Sequence, residues 1–174
     1  SFTCTGSISV EGETIHCSNI SGHGTQNFVE VISNSCNPAF IQIGQMLGAG
    51  KFRQYYQGFG FSDKTGIDLP GEAEDSFWKE GKMGGVDLAV ASFGQNFTIT
   101  PIQMITACAA VSNGGYVVQP HVVSKITDSK GNVIKTVDKK VKRQVISDDT
   151  SKKMNEYLEY NTERQGAAAG YISG

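Results

Sequence analysis

The chain has 174 residues, with 15 Lys plus Arg against 17 Asp plus Glu for a net charge of −2, 39% hydrophobic residues, 21 Gly and 4 Pro. A chain of this length buries about two thirds of its unfolded surface, so it needs neither disulfides nor a metal merely to fold, and its composition excludes disorder and collagen. The charge balance argues against a nucleic-acid partner, and no run reaches the roughly 18 consecutive apolar residues of a membrane-spanning helix.

Residues 1–24 are rich in Ser, Thr and Gly and read as loop, with at most a small hairpin around Glu11-Gly12. Phe28, Val29 and Ile32 then recur at helical spacing, with Glu30 three residues after Asn27 as in a capping box; this predicts a short helix over about 25–33. Asn34-Ser35-Cys36-Asn37 ends it, and Pro38 suits the first position of the next helix, where no amide donor is needed. That helix carries Phe40, Ile43 and Leu47 inward as far as Gly48-Ala49-Gly50, and a short one follows over 51–57.

Residues 62–95 are densely punctuated and read as a long structured loop. Thr100-Pro101 opens the clearest helix, with Ile102, Ile105 and Ala109 on one face and Cys108 beside them as a small buried hydrophobe, until Asn113-Gly114-Gly115 ends it. Residues 117–127 and 133–137 read as two strands joined by Asp128-Ser129-Lys130-Gly131-Asn132, and 148–160 as an amphipathic helix. The cluster Lys139, Lys140, Lys142, Arg143 reads as a solvated edge strand or linker, and residues 166–174 as a glycine-rich tail.

Three features could carry chemistry. Ser35-Cys36-Asn37 sets a hydroxyl, a thiol and an amide on a turn between two helices, although Ser and Asn also serve such turns structurally. Cys4, His16, Cys17, His23 and Cys36 are gathered in the first 36 residues, but no C-x-x-C pairing is present and no metal site is expected. A disulfide, Cys17 to Cys36 or Cys4 to Cys17, suits this set if the domain is extracytoplasmic. Lys64-Thr65-Gly66 spells a K-T-G triad, but its turn-like flanks mark it as a decoy.

Gly22-His23-Gly24, Ser35-Cys36-Asn37-Pro38-Ala39-Phe40, Phe59-Gly60-Phe61, the run from Thr65 to Glu72, Ser92-Phe93-Gly94-Gln95, Thr100-Pro101-Ile102-Gln103-Met104 and Asn113-Gly114-Gly115 follow one another in an order that resembles the transpeptidase domain of class B penicillin-binding proteins, of the division or sporulation type. The resemblance implies a partial α/β fold: the helical part of a penicillin-recognising serine transpeptidase, plus a hairpin of an incomplete antiparallel sheet. It divides as a loop region (1–24), a helical part with the second motif (25–116) and a hairpin, helix and truncated tail (117–174). It implies cross-linking of peptidoglycan stem peptides through a serine acyl-enzyme, binding of β-lactams, no cofactor, and a place on the extracytoplasmic face of the membrane, with an N-terminal anchor outside this chain.

By resemblance Ser35 relays a proton as the second-motif serine, and Asn37 orients the first-motif lysine and the substrate backbone, an amide being able to donate and accept at once. His23 reads as a loop-anchoring group. No S-x-x-K lies upstream of Ser35, where this family places its nucleophile, and the family's working K-T-G, followed by Thr-Ala, would come after residue 174. The expectation is therefore an internal fragment, inactive alone. The resemblance also suggests partners among divisome or sporulation proteins, and a thiol-disulfide oxidoreductase acting on a Cys17 to Cys36 bridge. Two rivals remain: a β-lactam sensor or serine β-lactamase with the same fold, and a catalytically dead interaction module in which Ser35 and Asn37 merely cap helices.

Overall fold

The computed structural model describes residues 1–73 and 76–165; the glycine-rich tail expected at 166–174 lies outside the described residues. In chain order the elements are β1 (Phe2–Cys4), β2 (Ser7–Val10), β3 (Glu13–His16), β4 (Gly24–Gln26), α1 (Phe28–Ser33), α2 (Asn37–Leu47), α3 (Ala49–Gly58), α4 (Gly85–Ser92), α5 (Pro101–Ser112), β5 (Tyr116–Val118), β6 (Lys125–Thr127), β7 (Val133–Thr136), β8 (Val141–Gln144) and α6 (Asp148–Gln165). They form two compact units, with the chain passing from one to the other within α3, after residue 77, after residue 97 and within α6. No helix among the described residues is long and apolar enough to cross a membrane.

The first unit comprises residues 1–54, 78–97 and the end of the chain from 153. The hairpin expected at Glu11-Gly12 is β2 and β3, paired from Ser7 opposite His16 to Val10 opposite Glu13. Two strands were not expected: β1 pairs antiparallel with β4, placing Cys4 opposite Gly24. They are three residues each, too short for an alternating pattern to register.

Asn27, not Thr25, caps α1: its side chain accepts from the Glu30 amide at 2.9 Å while Glu30 accepts from the Asn27 amide at 2.8 Å. Thr25 instead belongs to β4. Helix α4, which the sequence reading placed in a long loop, is only eight residues and opens on Gly84-Gly85, the composition of a turn. It packs on α2 at Gly44, where an added Cβ would stand 1.8 Å from Ser92 Oγ, so only glycine lets the two helices approach this closely. Val10, Ile41 and Ala89 are buried together there, with Ile8, Ile15, Val86 and Phe93 against them.

The second unit comprises residues 55–77 and 98–152. Thr100 caps α5 through a full capping box with Gln103, and the buried Gln103 amide also donates to the carbonyls of Phe61 and Asp63 at 3.3 and 3.0 Å. That bond set explains a correction. The inward face of α5 is Gln103, Thr106, Ala107 and Ala110, whereas Ile105 is 63% exposed and Cys108 lies on the surface. Apolar periodicity picked the wrong face because a polar anchor is buried on the other.

The strand expected over 117–127 breaks at 119–124 into β5 and β6, and the expected hairpin is reduced to β6 and β7, turned by Asp128, whose carboxylate accepts from the Lys130 and Asn132 amides at 2.8 Å each. The basic cluster is partly β8, an antiparallel partner of β5. Its Arg143 guanidinium donates to the carbonyls of Gly58 and Gln57, and Lys142 donates to that of Lys64, so these cations serve the fold.

Gly44→Ala is expected to destabilise the chain by about 1–3 kcal/mol in denaturant unfolding, the cost of overpacking a close helix pair. Gly44→Ala with Ser92→Gly, which removes the obstructing side chain, should recover most of the loss.

Candidate functional site

The site is built on the turn between α1 and α2. After the C-cap Asn34, Ser35 takes a left-handed conformation with φ 47°. The Ser35 amide donates to the Ile32 carbonyl at 3.1 Å and the Cys36 amide to the Val31 carbonyl at 3.2 Å, the paired bonds of a Schellman motif. That motif carries an apolar contact between its last residue and the helix, supplied here by Cys36 and Val31 in one buried cluster.

The consequence is an alternation across the motif. Ser35 is exposed, Cys36 is 0% exposed, and Asn37 is half-buried at the first turn of α2. Asn37 Nδ2 donates to the His16 carbonyl at 3.1 Å, which ties the amide to the end of β3 and leaves its Oδ1 free among the described residues. The Ser35 hydroxyl makes no hydrogen bond among the described residues. Neither side chain caps a helix: α1 closes on backbone bonds alone, and Cys36 at the head of α2 makes no side-chain cap bond.

A β-carbon in the left-handed region costs roughly 1–2 kcal/mol, and a Ser side chain with no local bond recovers none of it. Strain of this kind persists where the surroundings over-determine the conformation, and here they do: the buried Val31 and Cys36 hold the turn from below.

Beneath the turn the structure brings together four of the five residues of the Cys and His set, without His16. The Sγ atoms of Cys4, Cys17 and Cys36 and a ring nitrogen of His23 all lie within 4.8 Å of one another. The thiols are 2%, 4% and 0% exposed and unbonded to one another in this structure. His23 Nδ1 stands 3.5 Å from Cys17 Sγ. Local backbone geometry explains the convergence. Gly22, at φ 83°, lets the 19–24 turn press onto β1, because a Cβ there would stand 2.4 Å from the Cys4 carbonyl oxygen. Asn19 shapes that turn by donating to the Gly22 carbonyl and accepting from Ser21, and the Cys17 amide donates to the Gly6 carbonyl at 2.9 Å.

Burial pushes the Cys4 thiol up, but hydrogen bonds from the Gly6 and His23 backbone, the His23 ring and Cys36 outweigh it and bring it down to about 6. Burial pushes the Cys36 thiol up, and the neighbouring Cys4 adds to this against the Gln26 side chain and the Ala39 amide. Of the other candidates, His16 contributes only its carbonyl, and Cys108 belongs to α5 in the other unit. Lys64-Thr65-Gly66 lies outside any strand: the Thr65 amide and hydroxyl and the Gly66 amide wrap the Glu72 carboxylate at 2.5–3.0 Å. One tetrapeptide of the S-x-x-K form does occur, Ser76-Phe77-Trp78-Lys79, downstream of Ser35; Ser76 is in an isolated bridge with Thr98, the hydroxyls of the two residues 2.8 Å apart.

Residues 2–174 match the family model described as the penicillin binding protein transpeptidase domain. Stage V sporulation protein D of Bacillus subtilis is 39% identical over 176 residues, an alignment covering 97% of this chain and 27% of that protein. The solved D,D-transpeptidase domain of a peptidoglycan glycosyltransferase from Eggerthella lenta shares the fold with a TM-score of 0.85 at 21% identity, covering 99% of this chain and 45% of that one. Penicillin-binding protein A of M. tuberculosis, solved as a penicillin G acyl-enzyme complex, superposes with a TM-score of 0.78 at 23% identity, covering 91% of this chain and 38% of that one. The chain thus spans between about a quarter and under half the length of these proteins.

Ser35→Gly, which relieves the left-handed strain, is expected to raise unfolding stability by about 1 kcal/mol, whereas Ser35→Ala, which keeps the β-carbon, should leave it nearly unchanged. Equilibrium unfolding of the two variants against the parent checks this.

Proposed function

Because the chain belongs to the penicillin-binding protein transpeptidase family, we propose that it supplies the second catalytic motif of a serine D,D-transpeptidase that cross-links peptidoglycan stem peptides and is acylated by β-lactams. The observation that carries this reading is the alternation at residues 35–37, with two polar groups outward on a strained turn and neither spent on capping. The rival in which both residues merely cap helices loses its premise.

The chemistry divides acyl transfer into acylation and deacylation, each needing a proton moved near the nucleophilic serine and its leaving group. The free hydroxyl of Ser35 can accept and donate in the same geometry, which suits a relay. Asn37, with one amide hydrogen anchored on the His16 carbonyl, keeps its oxygen available to orient an ammonium group or a substrate N–H. Ser35 is set by the backbone hydrogen bonds of the turn and Asn37 by its own bond to the His16 carbonyl, so the groups are preorganised rather than ordered on substrate binding.

Since the stem-peptide substrate is extracytoplasmic, the same reading places the protein on the outer face of the cell membrane. The 39% identity to a stage V sporulation protein favours a sporulation role and partners among sporulation proteins, over division.

In the full-length protein carrying this segment, Ser35→Ala is expected to slow covalent labelling by fluorescent penicillin by about 10²–10⁴-fold, the scale of a lost proton-transfer group, and Asn37→Ala, which removes an orienting group, is expected to slow it by about 10²-fold. Labelling at the parental rate in both variants would exclude the proposal. Residues 1–174 alone should take up no covalent label, because the S-x-x-K at Ser76 lies in an extended bridge to Thr98 rather than on a helix.

A further inference from the structure

We propose that Cys4, Cys17, His23 and Cys36 form a closed tetrahedral binding site for one zinc ion, set directly beneath the turn that presents Ser35 and Asn37. Four ligand atoms within 4.8 Å of one another approach the roughly 3.5–3.8 Å edges of a zinc tetrahedron with bonds of about 2.0–2.3 Å. Small side-chain rotations close the difference. Three sulfurs and one imidazole are the donor set that selects zinc over the hard cations, and four protein ligands leave no open position, so the ion is structural rather than catalytic.

The scaffold holds each ligand by its backbone. Cys4 ends β1 opposite Gly24, next to His23; Cys17 is tied to Gly6; Cys36 is fixed by the Schellman bond to Val31. The surroundings also fit a metal better than an apolar core. Gln26 is 2% exposed, and its amide nitrogen has no hydrogen-bond partner among the described residues although this side chain faces the Cys36 sulfur. A zinc-bound thiolate would satisfy it, as outer-shell donors commonly do.

Residues 1–50 contain no Lys or Arg, so no protein cation from this stretch balances buried thiolates. A divalent ion does: three thiolates and a neutral imidazole around Zn²⁺ carry a net charge of −1. On binding, each thiol that enters as S–H releases its proton to solvent and no electron is transferred. The zinc-bound state and a Cys17 to Cys36 disulfide use the same sulfurs and exclude each other.

The proposal does not depend on transpeptidase activity. The chain, purified anaerobically and reduced, is titrated with Co²⁺ and then Zn²⁺. Expected is one Co²⁺ per chain, with thiolate-to-metal charge-transfer bands and the d–d bands of tetrahedral coordination, lost stoichiometrically to Zn²⁺. Cys36→Ala and His23→Ala should lose or alter the spectrum, and Cys108→Ala should retain it. Should a ligand variant fail to fold, the wild-type spectrum and its metal count by mass spectrometry still decide. Absence of tetrahedral thiolate bands, spectra indifferent to Cys36→Ala, or a reduced protein whose native mass shows no metal after zinc is added would overturn the proposal.

Discussion

The pair of backbone hydrogen bonds that closes α1, from the Ser35 and Cys36 amides to the Ile32 and Val31 carbonyls, is the constraint on which the rest depends. It forces one residue into the left-handed region, and the chain reverses there so that the next side chain points into the core. Glycine would occupy that position at no steric cost. Ser35 does so instead, at a cost of roughly 1–2 kcal/mol, and stands exposed there. The inward residue is Cys36, and it becomes at once the head of α2 and one wall of the thiol cluster.

One turn therefore couples two faces of the molecule. Above it, Ser35 and Asn37 are presented outward on backbone geometry; below it, Cys36 meets Cys4, Cys17 and His23 through β1, the end of β3 and the 19–24 turn. The close passage of Gly22 over Cys4 and of Gly44 past Ser92 shows how the packing around this turn is bought with missing side chains.

Much of this was legible in the sequence where local rules are strong. The capping box at Asn27-Glu30, the Thr100 cap, Pro38 and Pro101 in first helical turns, and the Glu11-Gly12 hairpin all appeared as expected, because each is determined within four residues. What failed was non-local. Strands β1 and β4 are three residues each and owe their existence to one another across 22 positions. The buried face of α5 is set by Gln103 reaching carbonyls some 40 residues earlier, so an apolar stripe misled. The thiol cluster has the spacing Cys-x12-Cys-x5-His-x12-Cys, which no short-spacing rule detects. Its available signals were the gathering of three Cys and a His into 36 residues and the lack of any basic residue among them.

The 35–37 turn is a rigid, backbone-locked platform. Native-state hydrogen exchange of the Ser35 and Cys36 amides tests it most directly, since both hydrogen bonds close over a buried Val31–Cys36 contact. The account requires both amides to exchange as slowly as the core amides of α2. Exchange of either at the rate of an open loop would contradict it.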